Sequence, residues 1–341
     1  MREPLVIGVD AGATTTRCVL SDLNGNILAR GAAGGANQNS SGAPPGAALA
    51  SALREAVAGA DPARVALGVI GAAGAGAGGR EAAQSAAREA WRAAGLPGRV
   101  LAVTDLEVGF AAGTPAPDGL LLLAGTGAVA AAFAGGALTH RCDGYGWLLG
   151  DEGSAVWLGR EGLRAVMRAL DGRGPRTDLT EPLSAALGVP AGPGLAEDSE
   201  AHAQRLLRAA FDRPPAALGA LAPVVSDLAA AGDPVARGLT ADAAGHLLHA
   251  LATVARRGGP GEIGAGPAVM LAGSVLLSPG PVAERVRAGV REQFGAEPVE
   301  ARDGAAGAAW LAILQVSGVP VDAATHARLT RAGLRGAPED R

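Results

Sequence analysis

A strand, a turn of small residues carrying hydroxyls and a second strand occur twice in this chain, from Leu5 to Asp22 and again from Leu120 to Ala134. In the first copy Leu5 to Val9 reads as a buried strand and Arg17 to Asp22 as its partner. Asn24-Gly25, a strong hairpin signal, then leads into a third strand at Ile27 to Arg30. In the second copy Leu120 to Ala124 and Ala128 to Ala134 flank Gly125-Thr126-Gly127, and Gly135-Gly136 turns the chain once more. A supersecondary unit repeated in one chain implies two related lobes. A length of 341 residues suits two domains. The expected division is an N-terminal lobe over 1–117, a C-terminal lobe with a helical insertion over 118–330, and a flexible tail over 331–341. Gly113 to Asp118, with Pro115 and Pro117, makes the passage between the lobes.

Between the copies, helix and strand alternate: a helix at Gly46 to Gly59, a strand at Val65 to Ile70, a helix at Arg80 to Ala94 and a strand at Val100 to Thr104. This is α/β order. Beyond Ser154 the pattern turns helical, over Ala155 to Leu170, Glu200 to Phe211, Ala216 to Ala230 and Pro234 to Arg257. One strand, Ala268 to Leu271, interrupts it. Gly258 to Pro267 reads as a loop and Gly333 to Arg341 as a frayed tail.

The chain contains no lysine, so its 29 basic residues are all arginine. A Walker-A loop, the strand lysine of protein kinases and a pyridoxal Schiff base are thereby excluded. Phosphate chemistry here has to rest on backbone amides, hydroxyls, arginine and metal. A net charge of −4 with scattered arginines, and aromatics at 3%, offer no polyanion stripe and little base stacking, so no nucleic-acid partner is expected. Two cysteines, Cys18 and Cys142, are too few for a disulfide framework and suit a cytoplasmic protein. Met1 to Val9 is unlike a signal peptide, and every long apolar stretch is broken by Gly, Pro or charge, so no membrane partner is expected.

Five segments could carry chemistry. In Gly8-Val9-Asp10-Ala11-Gly12-Ala13-Thr14-Thr15-Thr16, successive amides of a small-residue turn form an anion site to which the three threonines can add donors. Asp10 is placed to hold Mg²⁺ directly or through water. Ala124-Gly125-Thr126-Gly127 repeats that physics. Asp105, at the carboxyl end of a buried strand, is either a general base toward an attacking hydroxyl or a helix N-cap. The block from Cys142 to Ser154 alternates glycine, acids and rings, a mixture that suits a sugar. Within it Asp151 reads as functional and Trp147 as a core residue. Val269 to Val275 runs into Gly273-Ser274, where an adenine could lie on the backbone, although a plain strand end is the simpler reading. Cys18 reads as core, and His246 and His249 as surface or packing residues.

In order and spacing these segments resemble the N-acetylglucosamine kinase group within the BadF/BadG/BcrA/BcrD ATPase family, from about Leu5 to about Ala312. Gly150-Asp151-Glu152-Gly153-Ser154 is the most specific match. The resemblance implies a two-lobed α/β fold of the actin-like ATPase, ribonuclease H-like type, each lobe a mixed sheet flanked by helices. It also implies ATP and Mg²⁺ as cofactors, a small amino sugar as acceptor and a homodimer. Asp10 would hold metal, Gly12, Thr14 and Thr15 would take phosphates with Gly125, Thr126 and Gly127, and Gly273 and Ser274 would line the adenosine site. Asp105 would deprotonate the sugar's 6-hydroxyl, and Asn37, Cys142, Asp143, Tyr145 and Asp151 would surround the acceptor.

Three departures lie near that expected pocket: Tyr145 in place of a common tryptophan, Asp143 in place of glycine, and Ala72-Ala73 in place of Ser-Gly. The added acid would favour the ammonium of glucosamine over a neutral acetamido group. Two other expectations compete with a kinase. Dehydratase activators of the same family hold an iron-sulfur cluster through cysteines. A sensor would keep the fold without turnover, although its regulator relatives carry a helix-turn-helix for which Leu5 leaves no room.

Overall fold

In the computed structural model, which describes residues 3–12, 14–36, 45–76, 78–189, 198–258, 267–318 and 321–332, β1 (Leu5–Ala11) is buried along almost its whole length. A strand apolar on both faces has to lie between two layers. It pairs antiparallel with β2 (Thr15–Asp22) and parallel with β4 (Val65–Ala72). With β3 (Ile27–Gly34) and β5 (Arg99–Thr104) the sheet order is β3-β2-β1-β4-β5. Alternation along the strands sends Leu5, Ile7, Val9, Cys18 and Leu20 to one face, where they meet α1 (Pro45–Val57) and α2 (Arg80–Ala93). Val6, Val19, Leu67 and Val69 point the other way, into a cluster that includes Val108 and Ala111 of α3 (Asp105–Gly113).

The second sheet is built from β6 (Gly119–Ala124), β7 (Ala128–Ala134) and β8 (Ala137–Asp143), joined far later by β9 (Val269–Ala272) and β10 (Val299–Glu300), in the order β10-β9-β6-β7-β8. Reversed, that order reproduces the first sheet strand for strand, so the repeated motif marks a true structural duplication. Gly135 and Gly136, with φ of +59° and +77°, make the β7–β8 turn. Helices α4 (Ala155–Leu170), α5 (Thr180–Ala186), α6 (Ser199–Phe211), α7 (Ala222–Ala231) and α8 (Pro234–Gly258) separate β8 from β9. After β9 come α9 (Ser274–Leu277), α10 (Pro281–Phe294), α11 (Gly304–Ser317) and α12 (Ala323–Ala332).

The chain divides into two compact units. One comprises Met1–Leu121, Ala134–Leu138 and Val299–Arg341, and the other Leu122–Phe133 and Thr139–Pro298. Helices α11 and α12 therefore belong with the first unit, although the expected second lobe ran to residue 330. The reason is α11, whose buried Ala305, Ala306, Ala308 and Ala309 lie against β1. At Gly8 a Cβ would come within 2.8 Å of the Ala309 Cα, so a helix approaches this closely only over glycine. The expected helix at Ala216 to Ala230 is a 3-10 segment, Pro215–Leu221, followed by α7, because Pro223 lacks an amide and fits a first helical turn. Part of the expected loop at Gly258 to Pro267 and the tail from Gly333 fall outside the described residues. Among the described residues no single helix is long and apolar enough to cross a membrane.

Candidate functional site

In the first unit the β1–β2 turn is a tight loop. The Gly12 amide donates to the Thr15 carbonyl at 3.0 Å, and the Gly12 carbonyl accepts from the Ala36 amide at 3.1 Å. A Cβ at Gly12 would lie 2.9 Å from the Thr15 oxygen, so the bend needs glycine. Thr14 and Thr15 are exposed, as hydroxyl donors to a ligand must be. Thr16 is not available for that purpose: it is buried, and its hydroxyl donates to the Gly34 carbonyl at 2.8 Å. Asn37 lies outside the described residues.

Asp10 lies next to the last residue of β1, opposite Arg17 in register. Burial pushes its carboxyl up to about 6, the negative charges of Asp105 and Asp303 add to the rise, and Arg17 opposes it. Three carboxylates far apart in sequence are thus electrostatically coupled within one unit. Helix α11 starts against Asp10, since a Cβ at Gly304 would lie 2.7 Å from the Asp10 Cγ. Asp303 caps that helix through the Ala306 amide at 3.1 Å and pairs with Arg30 at 3.0 Å. This acid was missed in the sequence, where only its position ahead of the small-residue run from Gly304 to Ala309 marks a helix start.

The N-cap reading of Asp105 is replaced by another residue. Thr104 is the cap of α3: its hydroxyl accepts from the Glu107 amide at 3.2 Å, and Glu107 Oε2 accepts from the Thr104 amide at 2.8 Å, a complete capping box. Asp105 is the first helical residue, and its Oδ1 accepts from the Leu106 amide at 3.1 Å. The helix does not need this carboxylate as its cap.

In the second unit the Gly125 amide donates to the Gly127 carbonyl at 2.9 Å, and the first amide of α4, on Ala155, donates to the Gly125 carbonyl at 2.8 Å. Gly273, at φ +87°, sits against this turn, where a Cβ would lie 2.8 Å from the Gly125 nitrogen. A Cβ on Gly125 would in turn be 3.7 Å from the Ser274 nitrogen, so the phosphate-type turn carrying Thr126 and the candidate adenosine residues are neighbours. Asp151 joins them from the third segment: a Cβ at Gly127 would lie 2.8 Å from its Oδ2. Burial raises the Asp151 carboxyl above its ordinary value, against the amides of Ala128 and Gly146 that donate to it.

Asp143 shapes this loop. Both Asp143 and Asp151 have left-handed backbones, at φ 66° and 55°, and Asp143 accepts the Asp151 amide on Oδ1 and the Glu152 amide on Oδ2, each at 2.8 Å. Ser154, not Asp151, caps α4, through the Trp157 amide at 3.1 Å. Trp147 is 42% exposed and Tyr145 63% exposed, so neither is the core residue that aromatic character suggests. The Arg141 guanidinium stands 5.6 Å over the Tyr145 ring, and Arg160 holds the Trp147 carbonyl. Cys142 is half-buried, and burial raises its thiol, which disfavours a thiolate role. Cys18 is buried on β2, as expected of a core residue. His246 packs edge-on against Trp157 with Nδ1 3.1 Å from Glu152, a packing role.

Among the described residues no three His, Cys, Asp or Glu side chains converge to cage a metal. Mg²⁺ needs no such cage when one or two carboxylates and substrate phosphates hold it and water fills the remaining positions. Asp10, a hard oxygen donor kept beside two further acids and an exposed hydroxyl turn, fits that mode.

Known proteins match this architecture. A solved structure from Chromobacterium violaceum, described as a candidate N-acetylglucosamine kinase, is similar with a TM-score of 0.68 and 24% identity, covering 91% of this chain and 99% of that one. A ROK family glucokinase from Streptomyces griseus, solved with glucose and AMPPNP, is similar at a TM-score of 0.54 and 20% identity, over 91% and 98% of the chains. At these identities the likeness establishes the two-sheet actin-like fold. An N-acetylmuramic acid/N-acetylglucosamine kinase of Clostridium acetobutylicum is 28% identical over 180 residues, 51% of this chain and 57% of that protein. An N-acetyl-D-glucosamine kinase of Dictyostelium discoideum is 40% identical over 65 residues, 19% of this chain and 20% of that protein. The matched segments thus span about half or less of these curated relatives. The model of one family matches residues 7–312, and on that span the chain belongs to the BadF/BadG/BcrA/BcrD ATPase family.

Proposed function

We propose that the protein is an ATP- and Mg²⁺-dependent sugar kinase that phosphorylates the 6-hydroxyl of an amino sugar, N-acetylglucosamine first and glucosamine second. The observation that carries this reading is buried Asp10, which feels the charges of Asp105 and Asp303, packs against the start of α11 and stands at the end of the strand that runs into the Gly12–Thr15 turn. Like charges held together at a cost to folding mark a site kept for chemistry. Asp105 takes the proton of the sugar hydroxyl as its oxygen bonds to the γ-phosphorus and ADP leaves. Asp10 would hold Mg²⁺, which would supply positive charge against the phosphate oxygens. Gly12, Thr14 and Thr15 donate to phosphate oxygens. In the second unit Gly125, Thr126 and Gly127 do the same, and Gly273 and Ser274 receive the adenosine.

The acceptor class rests on the Cys142–Ser154 block. Exposed Tyr145 and Trp147 offer a platform for the C–H face of a sugar, with Cys142 near the end of β8 and Asp151 in the loop that follows it. N-acetylglucosamine is ranked first because both Asp143 oxygens already accept backbone amides, which leaves that acid little capacity for an ammonium group. The named activities of the Clostridium and Dictyostelium relatives support the same ranking. Burial of Cys18 speaks against a cysteine-held iron-sulfur cluster.

A coupled ADP assay with N-acetylglucosamine, glucosamine, N-acetylmannosamine, glucose and no sugar tests the proposal. Sugar-dependent ADP from neither amino sugar would leave the sensor reading in its place. Asp105→Asn is expected to lower kcat by about 10² to 10⁴ while sparing ATP binding, and an active variant removes Asp105 from the role of base. A homodimer in light scattering is part of the proposal.

A further inference from the structure

A second charged place lies on the outer edge of the first sheet. Strand β5 ends the sheet, and α2 runs alongside it, leaving a cleft of about 500 Å³ between them. Three arginines rim it: Arg88 and Arg92, one helical turn apart on α2, and Arg99 at the start of β5. Among the described residues none of the three side chains makes a hydrogen bond or an ion pair. Other exposed arginines do find acids, as Arg164 does with Glu161 at 2.9 Å and Arg291 with Glu297 at 2.6 Å. The acid nearest in sequence, Glu89, accepts from Ser85 instead, at 3.2 Å. Three like charges gathered on a protein of net charge −4 repel one another and concentrate an anion.

The floor of the cleft selects between kinds of occupant. An exposed strand edge ordinarily invites another strand. Here the Gln84 side chain already fills that place, donating to the Val100 carbonyl and accepting the Ala102 amide, each at 2.9 Å. Trp91 is buried beneath, and its indole donates to the Pro97 carbonyl at 2.9 Å. With the backbone edge satisfied, the arginine forks are what remains unpaired, and their planar geometry matches carboxylate or phosphate oxygens.

We propose that the α2–β5 cleft binds a small multiply charged anion, a phosphate ester or a polycarboxylate, through Arg88, Arg92 and Arg99. This site is separate from the proposed kinase residues and does not depend on that activity. The test is calorimetric titration of the full chain, without Mg²⁺, with citrate and with pyrophosphate as separate probes. The proteins compared are the wild type, R88Q/R92Q/R99Q, and R173Q as a control for a paired arginine elsewhere. Single-site binding of either probe is expected, weakened about tenfold or more in the triple variant and unchanged in R173Q. Citrate alone marks a carboxylate site, pyrophosphate alone a phosphate site, and both a site read by charge. No binding by the wild type, full binding by the triple variant, or equal loss in R173Q would overturn the proposal. If the triple variant is unfolded by circular dichroism, R92Q alone replaces it, with the same loss expected and an unchanged affinity refuting.

Discussion

Replacing Gly304 by alanine tests whether Asp10 is held by the start of α11. A methyl built at Gly304 lies 2.7 Å from the Asp10 Cγ and 3.1 Å from its Cβ. Carbon pairs settle at about 3.5–4.0 Å, so the carboxylate or the helix end has to move by about 1 Å. A displacement of about 1 Å in a positioned group costs roughly 100-fold in rate, or about 2.7 kcal/mol of transition-state stabilisation. Folding is affected less, because the helical preference of alanine, up to ~1 kcal/mol, opposes an overpacking cost of about 1–3 kcal/mol. The assay is sugar-dependent ADP release beside a thermal melt. Gly245→Ala on α8, where a methyl meets nothing within 4 Å, serves as the control. A drop of about 100-fold in kcat/KM is expected for G304A and none for G245A. A G304A enzyme within about twofold of the wild type would refute the reasoning.

The buried Asp10 carboxyl, raised from 3.8 to about 6, binds its proton more tightly in the native state than in the unfolded one. Stability is therefore lost as pH rises from about 4 to about 6, and at pH 8 the ionised group costs up to about 3 kcal/mol. Asp10→Asn is expected to raise urea resistance at pH 8, with the gain vanishing toward pH 4, while turnover is lost; equal stability at pH 8 contradicts the burial cause. His326 has the opposite sign: burial lowers it below 6.5, and its Nε2 donates to the Ala111 carbonyl at 2.8 Å, so its contribution falls away as the solution is acidified below 6.5. His326→Gln, which keeps a donor but does not titrate, should flatten that part of the stability profile, and an unchanged profile counts against it. Asp143→Ala leaves the Asp151 and Glu152 amides without their acceptor, a loss of about 1–3 kcal/mol with a raised KM for the sugar; a change in neither denaturation midpoint nor KM would dismiss the loop-holding role.

Much of both sheets was legible because the signals are local. Continuous apolar runs, Asn24-Gly25 and the two glycine-threonine turns each depend on a few adjacent residues, and Ala128–Ala134 and Ala155–Leu170 begin and end where their pattern predicts. Asp10 and Asp105 could be picked out for the same reason, since an acid at a strand end is visible in one line of sequence. The return of α11 to the first unit was not legible: Gly304 to Ala309 is a run of small residues with no strong period, and its value lies in fitting over Gly8 and beside Ala112. Asp303 was missed along with it.

By itself the sequence determined the duplication, the mixed α/β order and a phosphate chemistry that has to work without lysine, because spacing and residue type settle those. Only the tertiary structure decided that Thr104 rather than Asp105 caps α3, that Thr16 is spent on Gly34, that Asp143 holds its own loop, and that Asp303 joins Asp10. A side chain's partner is set by how distant segments pack, and one sequence pattern is compatible with several such partners until the backbone brings one of them within hydrogen-bond reach.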